Sequence, residues 1–411
     1  MTKVTVIIPN YNQSHYVADA VRSVLNQTYK NFDIIVVDDG STDKSREVVA
    51  QFGEAVQYIY QKNQGLAGAR NTGIRASYGE LIGLLDADDE WCPTYLEHIV
   101  ALSEKHPHAA AFYCMAQCMD AEGNDLPQVV GGPPVSPDLL YQKLLRANFI
   151  IPSTVTFRRK PILEAGYFDP NLRSCEDWDL WLRILPAETI VGMPESLVRY
   201  RIHGSSLSTN VYGMHEAAQK VIEKNFGPDD GQIVSWTFEK RRAHGGIYRY
   251  YLITSVQRQG NWNNAGRYLR RALEIDPTLA ADLDMFFELS LGMQPNGYRS
   301  SDQHLDVRQN ASEIKEMLAD VFSVPLLGWS VRRLAYGTAN FALGLAAYNS
   351  GSRKLCRTFL IRALFYRPDL AFDLRVSGNL FKSLLSPAFL EILKSLTSKR
   401  QGRDTLYRRS T

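Results

Sequence analysis

Three groups of acidic residues stand where a sheet protein would keep its chemistry. Asp86-Ala87-Asp88-Asp89 closes the apolar run Glu80 to Leu85, and Asp38-Asp39-Gly40-Ser41 closes Ile34 to Val37. Asn10-Tyr11-Asn12 follows a first run, Val4 to Pro9. Carboxylates just past the ends of buried parallel strands sit where open α/β sheets bind ligands. On an extended strand end Asp86 and Asp88 point the same way. Mg2+ or Mn2+ is held by one or two carboxylates plus substrate phosphates, which this spacing allows. Two separate clusters leave one for a base or ribose and the other for a divalent metal, a division that suits a nucleotide diphosphate. The third group, Glu176-Asp177, precedes an apolar face of Trp178, Trp181, Leu182 and Leu185. It reads either as acids stabilised at a helix N-terminus or as the seat of a general base.

The elements that must position these groups alternate. After the first strand Tyr16, Val17, Ala20, Val21, Val24 and Leu25 recur at helical spacing. Thr42 and Ser45 open a second helix, Val56 to Tyr60 is a short strand, and Gly65 to Ala76 is a glycine-interrupted helix carrying Arg70. Near-continuous apolar strands joined by helices predict a mostly parallel, Rossmann-like sheet with both faces covered. Asp89 is expected to begin the helix after Pro93, and Pro127 to Pro137 is expected to be a loop, suited to a mobile flap. No G-x-G-x-x-G follows the first strand and no G-x-x-x-x-G-K-[ST] occurs, so dehydrogenase and P-loop readings lose their support.

A net charge of +2 argues against a nucleic-acid partner. Five scattered cysteines read as reduced thiols of a cytoplasmic protein, not as a disulfide framework. No basic-then-apolar leader follows Met1, and no apolar run approaches the ~20 residues of a membrane span. Ala339 to Tyr348 reads as a core helix.

Taken in order, the motifs resemble the inverting glycosyltransferases of family 2, which have the GT-A fold. They run from Val6-Ile7-Ile8-Pro9-Asn10-Tyr11-Asn12 and Val37-Asp38-Asp39-Gly40-Ser41 through Gly68-Ala69-Arg70-Asn71 and Asp86-Ala87-Asp88-Asp89. They continue with Gly166-Tyr167-Phe168-Asp169 and Glu176-Asp177-Trp178 and end at Tyr200-Arg201-Ile202-His203-Gly204. The resemblance spans roughly the first half of the chain, and its order and spacing carry more weight than any single motif.

The resemblance implies in-line transfer of one sugar from a nucleotide-diphosphate sugar, UDP-sugar by default, to a glycan or lipid-linked acceptor. It implies Pro9, Tyr11, Asp39, Arg70 and Asp86 around the nucleotide, with Asp39 accepting from the base and Tyr11 stacking on it. Asp88 would ligate Mn2+ or Mg2+, with His203 as a second metal or diphosphate contact. Asp177 would be the base, with Glu176 next in line. Other readings of the same residues stay open: a turn capping the next helix for Asp38-Asp39, a helix arginine with its head in water for Arg70, and core packing for Trp178 and Trp181. No Gln-x-x-Arg-Trp follows the base motif, which argues for adding one sugar per encounter. A sugar nucleotidyltransferase and a nucleotide-binding helical scaffold are the alternatives.

The transferase domain is expected over residues 1–225, with a donor half to about residue 115 and an acceptor half over 116–225. Gly227-Pro228-Asp229-Asp230-Gly231 marks the boundary to a helical domain over 232–398. There Gly260, Leu269, Arg271-Ala272-Leu273 and Pro277 recur 91 positions later as Gly351, Leu360, Arg362-Ala363-Leu364 and Pro368. The pattern is similar to tetratricopeptide-type hairpins, whose stacked concave faces suit a protein or lipid-linked partner. Gly292 to Gln303 reads as an irregular insertion. The basic tail 399–411 would suit peripheral contact with the inner face of a membrane.

Overall fold

The computed structural model describes residues 2–204, 211–293, 305–324 and 327–384. The basic tail and most of the expected insertion lie outside them.

Two compact units divide the chain, Met1–Ile247 and Tyr248–Thr411. The first is built on a nine-stranded sheet. Its strands are β1 (Val4–Asn10), β2 (Phe32–Asp38), β3 (Gln57–Tyr60), β4 (Leu81–Leu84), β5 (Glu90–Trp91), β6 (Ala109–Met119), β7 (Asp125–Val130), β8 (Val155–Arg158) and β9 (Thr189–Arg201). Interleaved are helices α1 (Val17–Leu25), α2 (Ser45–Ala50), α3 (Gly65–Ala76), α4 (Tyr95–Lys105), α5 (Pro137–Arg146), α6 (Arg159–Glu164), α7 (Glu176–Ile184) and α8 (Val211–Phe226). Helix α9 (Phe238–Gln259) contains the division between the units.

The order is β3-β2-β1-β4-β8-β6-β9-β5, with β7 pairing only β6. Strands β3, β2, β1 and β4 are mutually parallel. Because β2 lies on one side of β1 and β4 on the other, the strand order reverses at β1. Ligands of open α/β sheets bind outside the carboxyl ends at such a point. The register sets the ends of β1, β2 and β3 level, with Asn10 facing Asp38 and Asp38 facing Tyr60, whereas β4 stops three residues short, its Leu84 facing Ile7.

Alternation explains why these strands are apolar throughout. Val4, Val6, Ile8, Ile34 and Val36 enter one core with Val17, Ala20, Val21 and Val24 of α1. Ile7, Ile35 and Val37 point into the opposite core with Ala67, Ala69 and Ile74 of α3. Gly73 allows that second packing, since a Cβ there would come within 2.4 Å of Ile7 Cγ2.

One expectation needs correction. Pro127 lies in the strand β7, and only 131–136 forms the loop before α5. Proline is tolerated on an edge strand or at an irregularity. β7 has a single neighbour, and its register with β6 slips between Gln117 and Met119, across from Pro127. The Gln117 side-chain amide fills the slip by donating to the Leu126 and Gln128 carbonyls.

The second unit is helical among its described residues. α10 (Trp262–Ile275), a 3-10 turn (Pro277–Ala281) and α11 (Leu283–Ser290) are followed by α12 (Val307–Val321) and α13 (Trp329–Asn349). Then come α14 (Arg353–Tyr366), a 3-10 turn (Pro368–Phe372) and α15 (Leu374–Leu384). The starts of α14, its 3-10 turn and α15 each fall 91 positions after their counterparts at Trp262, Pro277 and Leu283. Leu269, Ala272 and Leu273, with Leu360 and Ala363, share one core with Phe341, Ala342 and Leu343 of α13. The run Ala339 to Tyr348 is therefore core, and among the described residues no helix is long and apolar enough to cross a membrane.

Candidate active site

At the carboxyl ends of β1 and β2 two loops latch together. Asn12, in the left-handed region at φ 53°, donates its N–H to Ser41 Oγ at 2.9 Å and accepts from Thr42 N at 2.8 Å. Tyr11 between them is half exposed, its ring open to a stacking partner. Pro9 is buried inside β1.

The two acids after β2 divide their work. Asp38 accepts from Ser41 N at 2.8 Å and from the Tyr58 hydroxyl at 2.5 Å, which closes the turn. Asp39 accepts from Gln61 Nε2 at 2.6 Å, Gln64 N at 2.9 Å and Gly65 N at 2.8 Å. It therefore caps α3, not α2; the first turn of α2 is bonded by Asp43, which accepts from Ser45 N at 3.0 Å. Three donors leave one of a carboxylate's roughly four acceptor positions open. Gly65 spends its N–H on Asp39.

Arg70 projects inward from α3 and is wholly buried. One guanidinium nitrogen reaches Asp86 Oδ1 at 2.7 Å and the other Glu176 Oε1 at 2.5 Å. Its plane lies 5.4 Å from the Phe168 ring centre. Phe168 is fixed in turn by Asn71, which donates to its carbonyl at 2.8 Å and accepts from its N–H at 3.0 Å. Arg183, one turn along α7 from Asp179, donates to the Tyr167 carbonyl at 2.7 Å. The Gly68–Asn71, Gly166–Asp169 and Glu176–Arg183 motifs thus brace one another, and Arg70 is the bridge between the Asp-x-Asp loop and the start of α7.

Asp86 and Asp88 are both partly exposed. Asp88 Oδ2 lies 2.9 Å from His203 Nε2. Tyr16 packs against the His203 ring at 5.3 Å, and Arg201 lies over Tyr16 at 4.7 Å. Asp89 does not begin the helix after Pro93: α4 starts at Tyr95, and Asp89 is buried. It accepts from Ser153 Oγ at 2.5 Å and from Arg201 N at 2.8 Å, tying the loop to β9. Packing claims the third acid because the loop turns inward after Asp88.

Asp177 opens α7 beside Glu176, after Cys175 in the left-handed region at φ 59°. Its Oδ1 accepts from Trp178 N at 2.8 Å and its Oδ2 from Asn148 Nδ2 at 2.7 Å. Trp178 and Trp181 are core, and Trp181 stacks on Phe157 at 5.2 Å.

Residues 5–165 match the sequence model of Glycosyl transferase family 2. An uncharacterized glycosyltransferase of Nostoc sp. is 34% identical over 218 residues, 50% of this chain and 66% of that one. One of Rickettsia typhi is 31% identical over 222 residues, 52% and 68% of the two chains. The Bacillus subtilis protein named "Putative teichuronic acid biosynthesis glycosyltransferase TuaG" is 32% identical over 223 residues, 53% of this chain and 84% of its own. The chain belongs to glycosyltransferase family 2. These matches span about half of its length.

Burial sets the electrostatics of this family-2 site. It pushes the Glu176 carboxyl up to about 7, with Arg70 opposing and Asp177 adding to the rise. Asp177 is also raised by burial, against Arg70, Asn148 and the Trp178 N–H. Burial likewise holds Asp89 well above the carboxylate range, and the nearby Asp88 and Asp86 add to it. For Arg70, burial works against the charge, but Asp86 and Glu176 more than offset it.

A group that holds its proton more tightly when folded stabilises the fold below its unfolded value and loses that contribution as pH rises. For Glu176 the window runs from the ordinary 4.5 to about 7. The Glu176→Gln variant should therefore show a smaller fall in Tm between pH 5 and pH 7.5 than the parent. An unchanged fall would show that Glu176 does not titrate in that window.

Asn148, Ser153 and the inward turn of Asp89 were not visible in the sequence, and Arg201 stood there only as part of a motif, with no role of its own. For Asn148 and Ser153 the signal was polarity on either side of the apolar Phe149-Ile150-Ile151.

Proposed function

We propose that this chain transfers a single sugar from a nucleotide-diphosphate sugar, UDP-sugar foremost, to an acceptor hydroxyl with inversion. The observation that supports this most is the buried Arg70, which joins Asp86 of the Asp-x-Asp loop to Glu176, the neighbour of Asp177 on α7. Donor and acceptor chemistry need such closeness, because in-line attack places the base and the departing diphosphate about one sugar. On this reading Tyr11 and Asp39 receive the base, Tyr11 through its open ring and Asp39 through its remaining acceptor position. Arg70 acts on Asp86 and Glu176, not on the diphosphate. Asp177 takes the proton from the acceptor hydroxyl as the oxygen attacks the anomeric carbon. Only one base is needed when the leaving diphosphate departs with its charge already compensated.

Asp88 and His203 fit a divalent metal. One carboxylate and one imidazole converge at 2.9 Å, a small protein set that leaves coordination positions for phosphate oxygens. The mixed oxygen and nitrogen donors favour Mn2+ over Mg2+. Among the described residues no cluster of three or more such ligands forms an all-protein cage. When bound, the metal would supply positive charge to the diphosphate. Asp88→Ala should abolish the Mn2+-dependent part of UDP binding, and Asp86→Ala should weaken it less, as calorimetry with and without Mn2+ would read. UDP binding indifferent to both metal and mutation would remove the metal assignment.

The relative named for teichuronic acid biosynthesis supports a place in cell-surface polysaccharide synthesis. The direct test is incubation with Mn2+ and a panel of UDP-, GDP- and dTDP-sugars, with release of nucleoside diphosphate measured. Release of pyrophosphate would identify a nucleotidyltransferase in its place.

A further inference from the structure

We infer that Asn148 is the positioning residue of the base, holding the Asp177 carboxylate through its side-chain amide. This rests on the reading of Asp177 as that base.

The stretch from the last turn of α5 to Ile150 is tied to α7 at both ends. Trp178 Nε1 donates to the Leu144 carbonyl at 2.6 Å, and Trp181 Nε1 donates to the Ile150 carbonyl at 3.4 Å. From outside, Gly246 of α9 presses on Arg146, so closely that a Cβ there would come within 2.3 Å of its carbonyl oxygen. Between the two ties Asn148 Nδ2 donates to Asp177 Oδ2 at 2.7 Å. Helix α7 thus clamps, through its own tryptophans, the stretch of chain that aims its own acid.

The orientation of the amide follows from its partner. An ionised carboxylate only accepts, so the NH2 group must face it. The other end of the amide, Oδ1, is buried and receives no hydrogen bond from any described residue. Buried polar atoms without partners are rare in native proteins and call for an explanation. An apolar residue of the same size would avoid the cost, so the amide is not there for packing. Its one bond is the bond to Asp177.

Two donors, Trp178 N and Asn148 Nδ2, hold one oxygen each and fix the plane of the carboxylate. The groups facing Asp177 are the cation of Arg70 and the acids Asp86 and Glu176, with the Cys175 thiol next to them. Hydrogen bonds to the charged form lower a carboxyl's proton affinity. Loss of the Asn148 bond therefore moves the acid limb of the pH–rate profile to higher pH, a shift that a purely structural residue would not produce.

The test uses the full chain and UDP release from whichever UDP-sugar the donor panel identifies. Asn148→Leu is expected to lower kcat about 10²-fold, the scale of a misplaced catalytic group. Its acid limb should move to higher pH while UDP affinity and Tm stay at the parent values. If Asn148→Leu fails to fold, Asn148→Ser, which removes the amide and keeps a small side chain, is read in the same way. An unchanged kcat and acid limb would overturn the inference, as would a loss of UDP affinity matching the loss of kcat. Asp177→Asn, assayed alongside, separates the two claims: if it remains active, the base assignment falls, and the inference with it. If it is inactive while Asn148→Leu behaves as the parent, only the inference falls.

Discussion

Asp177→Asn should reduce sugar transfer by about 10²–10⁴-fold, the usual contribution of a general base, while UDP binds as it does to the parent. The amide keeps the carboxylate's shape, so Trp178 N can still donate to Oδ1 and α7 retains its first turn. What it cannot do is accept the acceptor's proton. Donor affinity should hold because the nucleotide contacts proposed for Tyr11, Asp39 and Asp88 lie on other elements. Transfer within a few-fold of the parent would eliminate Asp177 and direct attention to Glu176, the acid held up to about 7.

The second large effect is on stability. Arg70→Leu should cost about 3–5 kcal/mol, the range seen when one member of a buried ion pair is removed. The guanidinium is wholly buried between Asp86 and Glu176, and Leu would leave the Glu176 carboxylate charged, buried and without its cation. Urea unfolding at pH 8 is the measurement. At pH 5 the loss should be smaller, because Glu176 can then take up a proton and shed its charge. A loss under about 1 kcal/mol at pH 8, typical of surface pairs, would contradict the buried bridge and restore Arg70 to the diphosphate.

Much of the framework was legible because it is written in local periodicity. The runs from Val4, Ile34 and Glu80 became β1, β2 and β4, and α3 covers Gly65 to Ala76 as expected. The 91-residue offset located α10 and α14 together with the proline-initiated turns that follow them. The acids at strand ends were visible for the same reason, since a polar residue after an apolar run is a local signal. Their division of labour was not. Asp38 and Asp39 are adjacent, yet one closes a turn and the other caps α3, some 26 positions away at Gly65. Arg70 looked like a surface or ligand arginine because its partners lie 16 and 106 positions distant. Asp89 and Asn148 were assigned by tertiary packing, and Pro127 joined a strand because β7 sits at the margin of the sheet. None of these depends on a spacing that a one-dimensional reading can register.

The short stretch from Asn148 to Ser153 touches both halves of the site. Asn148 holds Asp177, whereas Ser153 accepts from Asp86 N at 3.1 Å and donates to Asp89. Its length is therefore a ruler. One inserted residue lengthens an extended chain by about 3.3–3.6 Å, more than a hydrogen bond tolerates, so an insertion here would detach one anchor or the other. The turn between β6 and β7 meets solvent at Glu122 and Asn124 and spans no such pair of anchors. A one-residue insertion between Asn148 and Ser153 is therefore expected to break either the bond to Asp177 or the bonds to Asp86 and Asp89.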